Sequence, residues 1–269
     1  MIDWQAYLWS LLAILVLGLL FWLVSLSKRD VSVVDSAWSL LFLSGFAAYI
    51  AASPAPGTRT VLIATLVTVW ALRLSAYITW RNWGEGEDRR YRAMRAKHQP
   101  GFAVKSLYLV FGLQGLLAWV IALPLVVAVA GTRPLGLLDV AGIAVWALGM
   151  IFETVADLQL ARFKANPENH GRVMDQGLWR YSRHPNYFGE CCIWWGFYLI
   201  ALAAGGWWTL LSPVLMTFLL LRVSGVTLLE RDIGERRPAY REYVQRTSAF
   251  LPRPPRQPSG LLSRPGAQS

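Results

Sequence analysis

The chain predicts an all-α integral membrane protein with seven transmembrane helices, its N-terminus outside and its C-terminus cytoplasmic. Three observations predict it. The sequence is 55% hydrophobic and carries 14 tryptophans, only 16% of it is charged, and its mean hydropathy is +0.39; soluble globules do not have this balance. Apolar runs recur at the roughly 20 residues that a helix needs to cross a bilayer core of about 30 Å. Finally, the basic residues collect in alternate connections between those runs.

Taken in order, the runs are Tyr7–Leu26, Val34–Ala52, Thr60–Thr79, Leu107–Val129, Leu137–Leu160, Cys191–Ala204 and Trp207–Leu229. No basic segment precedes the first run, as a cleaved secretory leader would require, so it reads as a retained helix. The last two runs are separated only by Gly205 and Gly206, which predicts a very short turn. Residues 1–252 read as one seven-helix membrane domain. The Pro-, Ser-, Gly- and Arg-rich stretch 253–269 reads as a disordered cytoplasmic tail.

The formal charge of +10 is a matter of topology. With seven crossings, 22 of the 26 basic residues fall on one side, and only Arg59 and Arg133 on the other; Arg73 and Arg222 lie inside apolar runs. Basic residues stay cytoplasmic, which sets the orientation and argues against nucleic acid as a partner. The connections on that side are also long and polar, notably RNWGEGEDRRYRAMRAKHQPG and ARFKANPENHGRVMDQGLWRYSRHPNY. Any charged ligand is therefore expected at the cytoplasmic face.

Ionisable residues in or at the ends of apolar runs are costly and mark cavities or partners. They are Asp35, Arg73, Glu153, Asp157, Glu190, Arg222 and Glu230. Glu153 and Asp157, four residues apart, share a helix face. Interhelical ion pairing is the plain reading of each; as a set they suggest a polar cavity. His98, His170 and His184 lack metal-ligand spacing, and no Cys–His pair supplies it. The adjacent Cys191 and Cys192 read as small apolar filler. No glycine-rich dinucleotide fingerprint or phosphate loop is present.

The densest signal is RYSRHPNYFGE, residues 180–190. Arginine grips phosphate or carboxylate with two donors, His184 adds a donor, and Asn186 suits an amide or a ribose. Pro185 favours an extended His184, and Gly189 admits a ligand or a neighbouring backbone.

With AD-x-QL-x-RFK before it and VSGVTLLERD, RPAYREY and TSAFLPR after it, this stretch resembles the steroid 5α-reductase family, in its bacterial multi-pass branch. RNWGEGEDRRY and VDSAW carry the resemblance toward the N-terminus, and it covers most of the chain from Val34 to Pro252. The resemblance implies an NADPH-dependent enzyme in a bacterial inner membrane that reduces the C=C bond of an α,β-unsaturated ketone in a steroid-like lipid. It also implies a cytoplasmic cofactor site and membrane lipid as the surrounding partner.

Carried over residue by residue, the resemblance puts Asp157, Asn186, Tyr187 and Glu190 at cofactor-contacting positions. Lys164, Arg183 and His184 supply cations for the phosphates. Arg222 and Glu230 align with the cofactor end of the last helix, and Arg73 and Arg81 with basic positions ending the third. Tyr240 lies where the family closes over the adenosine. The family holds the ketone oxygen with an acid on the second helix and a tyrosine on the third. Asp35 is the only acid in the second run and, protonated by burial, would donate a hydrogen bond. Trp70 falls near the tyrosine position, with Tyr77 seven residues on, and Tyr77 is the candidate.

An R-H-P-x-Y-x-G pattern also occurs in membrane methyltransferases that use S-adenosylmethionine on isoprenylcysteine or phospholipids. Those enzymes carry paired glutamates late in the last helix, where this chain reads LLERD. A non-catalytic lipid-binding or transport protein is a third reading.

Overall fold

The computed structural model describes residues 2–53, 57–223 and 239–256. It is 79% helix and has no strand among the described residues. Among the described residues, five helices are long and apolar enough to cross a membrane: α1 (Trp4–Lys28), α2 (Val33–Ala52), α3 (Thr58–Asn82), α5 (Phe102–Ala130) and α6 (Leu137–Ala165). They coincide with the first five apolar runs. Between α3 and α5 lies the short polar helix α4 (Arg89–Lys97). The remaining described helices are α7 (Pro185–Ala203), α8 (Trp207–Val223) and α9 (Ala239–Arg246).

Local chemistry sets the ends. Asp3 caps α1 by accepting from the Ala6 amide at 3.0 Å. Arg29 ends α1 in the left-handed region, at φ 52°. In α5 a π-helical turn spans Leu107–Gly112, and Pro124 sits in the first turn of a restarted α-helix. α7 begins at Pro185, six residues before the apolar run at Cys191. A proline in the first turn has no needed N–H to lose, and its fixed φ suits a helix start. Asn186 and Tyr187 therefore ride on helical turns rather than in the connection the sequence suggested, and Glu190 lies one turn further along the same helix. The polar start keeps α7, at 19 residues, out of the set apolar enough to span.

The described residues group into two compact units, one of residues 1–146 with 194–216, the other of 147–193 with 217–269. The first is held by apolar packing and by two polar clasps. Ile14 is wholly buried and fills the space left by Gly45 and Gly115. Tyr7 stacks on Trp119 at 4.4 Å, its hydroxyl donates to the Trp119 carbonyl, and the Trp119 indole donates back to the Tyr7 carbonyl. Trp70 is fully buried, edge-on to Phe42, Trp194 and Phe197. At the start of α3, the Arg59 guanidinium donates to both carboxylate oxygens of Asp139 and to the carbonyls of Arg133 and Pro134. Both side chains are almost completely buried, and the two carbonyls take two further guanidinium donors.

The outer faces are the reverse of a soluble protein's. Leu8, Leu12, Leu19, Leu20 and Leu23 of α1 are all exposed, as residues facing lipid tails would be.

In the second unit, α6 and α7 meet backbone to backbone. A Cβ on Gly189 would lie 2.6 Å from both the Glu153 nitrogen and the Gly149 oxygen, and one on Gly149 would lie 2.5 Å from the Gly189 oxygen. In the first unit Gly142 and Gly196 repeat this, seven residues along each helix. Small residues at this spacing let helices approach closely. Gly205 closes the turn after α7 with φ 93°, which matches the short turn predicted there.

Candidate functional site

The candidate residues fall into two groups, one in each unit. In the first unit, Asp35 sits in the first turn of α2. Its carboxylate accepts from Arg90 Nη2 at 2.7 Å and from the Tyr91 hydroxyl at 2.7 Å. Both partners come from α4, which the sequence showed only as a polar connection. Asp88 caps α4 by accepting from the Arg90 amide and also takes the Arg90 Nε. Its own amide donates to Ser32, just before α2. Glu87 accepts the Arg95 fork and the Val31 amide. These bonds dock α4 against the start of α2.

The electrostatics follow. Burial alone would raise the Glu87 and Asp88 carboxyls; the Arg95 and Val31 donors to Glu87, and the Arg90 donors to Asp88, outweigh it and hold both below the usual range. Burial pushes the Tyr91 hydroxyl well above its ordinary value, and the Asp35 carboxylate adds to that. Tyr91 is therefore a neutral donor at physiological pH. Arg90 is pushed upward by Asp35, against its burial, and stays charged.

Sequence reasoning missed Tyr91 and Arg90. The signal was available in RRY of RNWGEGEDRRY, but nothing in the spacing tied it to Asp35. Asp35, expected from the resemblance to donate a hydrogen bond when protonated, has its carboxyl oxygens against the Arg90 and Tyr91 donors, which puts a second candidate donor, Tyr91, beside it. Tyr77 is half-buried with its ring against the guanidiniums of Arg73 and Arg81, at 5.6 Å and 5.8 Å. Arg81 is exposed and donates to Asn82.

In the second unit the close crossing of α6 and α7 brings the Asn186 amide to Asp157, at 3.4 Å. Asp157, Glu153 and Glu190 are all buried. Carboxylates at this depth suit hydroxyl or amide donors. His184 is buried, its amide donates to the Ser182 hydroxyl, and its ring stacks on Tyr187 at 5.5 Å and 3°. Arg183 is buried too, and its Nη1 donates to the carbonyls of Val244 and Thr247 at the end of α9. Tyr243 donates to the Trp179 carbonyl, and Tyr240 packs edge-on against Tyr243. Lys164 and Arg222 are exposed, Arg222 within a π-helical turn. Glu230 lies outside the described residues.

Helical spans with polar side chains gathered at helix ends define a multi-pass membrane protein with buried ionisable groups. Residues 21–247 match the family described as "Protein of unknown function (DUF1295)", and the chain belongs to that family, one associated with steroid 5α-reductase-like membrane proteins. An uncharacterized protein of Schizosaccharomyces pombe (strain 972) is 29% identical over 274 residues, spanning 91% of this chain and 79% of that protein. No solved structure matches the chain.

Proposed function

We propose that this protein is an NADPH-dependent reductase of the C=C bond of an α,β-unsaturated ketone in a steroid-like lipid. The observation that carries the reading is the Asp157–Asn186 pair, set beside buried Glu153 and Glu190 where α6 and α7 touch. A carboxamide and carboxylates buried together fit the amide and ribose hydroxyls of a nicotinamide nucleoside, and Tyr187, half-buried and stacked on His184, adds an aromatic ring next to Asn186 in the chain. NADPH would supply a hydride to the β-carbon, and a proton from solvent or side chain completes the α-carbon.

The chain's own residues do the rest. Asp157 and Glu190 accept from hydroxyls, and Asn186 orients an amide. Negative charge grows on the ketone oxygen as hydride arrives, and a fixed donor lowers that barrier. Within the first unit, Tyr91, kept neutral by burial and by Asp35, carries a hydroxyl proton of the kind such a donor needs, and Arg90 balances the charge of Asp35. Apolar surroundings exclude water from the reacting carbon.

The topology that fits this reading has seven crossings, with α7 and the run beginning at Trp207 as the last two. The N-terminus is outside, and the cofactor side is cytoplasmic in a bacterial inner membrane.

Thermal unfolding of the detergent-solubilised protein tests the cofactor. NADPH at a hundredfold excess over Kd raises stability by about 2.7 kcal/mol if it binds only the folded state. Asp157→Ala and Asn186→Ala lose that response. Stabilisation by S-adenosylmethionine with none from NADPH overturns the reading.

A further inference from the structure

We propose that the arginine-lined cavity between α9 and the segment that follows it binds a phosphate ester. The cavity holds about 260 Å³, and four of its ten lining residues are arginines: Arg183, Arg246, Arg253 and Arg256. None of the ten is acidic. Arg246 pairs with Asp175, whereas Arg253 and Arg256 have no carboxylate partner among the described residues. Guanidiniums around one hollow repel one another until an anion bridges them. Phosphate is the anion whose several oxygens engage more than one guanidinium fork.

The arginines stand on fixed backbone. The Arg253 amide donates to the Tyr181 carbonyl at 2.9 Å, and the Arg256 amide donates to the Arg246 carbonyl at 2.8 Å. The Ser182 hydroxyl donates to the Phe250 carbonyl at 2.7 Å, and the Arg183 amide donates to the Ser248 carbonyl at 2.8 Å. Arg183 is itself held by the carbonyls ending α9. Residues 253–256, read from sequence as the start of a disordered tail, are thus bonded along both edges of the cavity; 257–269 lie outside the described residues. Its volume is below the roughly 300–1,000 Å³ of whole-ligand pockets, which suits a phosphate headgroup whose remainder lies outside.

The phosphate has two possible sources, a soluble nucleotide and a phospholipid, and the site does not depend on the reductase reading. The test uses the full chain in phosphatidylcholine nanodiscs. One arm titrates adenosine 2′,5′-bisphosphate; the other compares discs with and without phosphatidic acid. Each is read as a shift in unfolding midpoint for the wild type and for Arg253→Lys/Arg256→Lys. The lysine pair keeps the charge and loses the fork, and both positions are exposed, so the unliganded midpoint stays unchanged. The expected result is stabilisation by one phosphate source, with at least about a tenfold loss of affinity in the lysine pair. A response to the bisphosphate assigns a soluble nucleotide, and one to phosphatidic acid assigns a lipid. No response in either arm, or equal affinity in the lysine pair, overturns the proposal. Either failure leaves the NADPH test of Asp157 and Asn186 standing.

Discussion

Asp35 accepts hydrogen bonds from both Arg90 and Tyr91, and the consequence lies with Tyr91. A carboxylate beside a tyrosine keeps the phenol neutral, and on the proposed reading its one hydrogen, donated to Asp35 in this structure, turns to the substrate oxygen as charge builds there. Tyr91→Phe removes the proton and leaves the ring packed between α2 and α5. Turnover of an enone is expected to fall by about 100-fold or more, with the NADPH-induced midpoint shift retained. Unchanged turnover in steady-state assays removes Tyr91 from the chemistry. Asp35 was legible as the one acid in the second apolar run, because an uncompensated charge there is conspicuous. Tyr91 was not, since a tyrosine on a short charged helix looks like any interfacial aromatic until α4 is docked. Trp70 shows the opposite case: alignment brought it near a catalytic position, and packing buries it among Phe42, Trp194 and Phe197.

The elements that matter most are α6 and α7, whose glycines let the two backbones touch. A methyl group at Gly189 has no space, because its neighbours are the Glu153 nitrogen and the Gly149 oxygen, neither of which is a flexible side-chain end. Gly189→Ala is expected to cost about 1–3 kcal/mol and to weaken NADPH binding by moving Asn186 from Asp157. Thermal unfolding with and without NADPH checks both effects; a variant as stable and as responsive as wild type contradicts the assignment of the crossing. The sequence marked Gly189 as a place of close approach, yet it put the helix start at Cys191. Hydropathy sees only where apolar residues begin, whereas a proline and a polar first turn extend the helix back to Pro185. The same rule explains Arg183. Its residue type suggested a phosphate grip, and only the folded chain shows its Nη1 turned to the carbonyls ending α9.

For the whole molecule, composition was a sufficient guide to class: the described residues are helical, with five helices among them suited to a bilayer and leucines on the outer surface. The chemistry rests on fewer residues and is best tested by following the transferred atom. The purified protein in nanodiscs is given a 3-oxo-Δ4 steroid and NADPH deuterated at the transferring position of the nicotinamide, and the product is read by mass spectrometry and NMR. The account predicts a saturated ketone with one deuterium on the former β-carbon, formed by wild type and lost in Asn186→Ala. Unreduced steroid with the deuterium still on the nicotinamide, from protein that S-adenosylmethionine stabilises and NADPH does not, contradicts it.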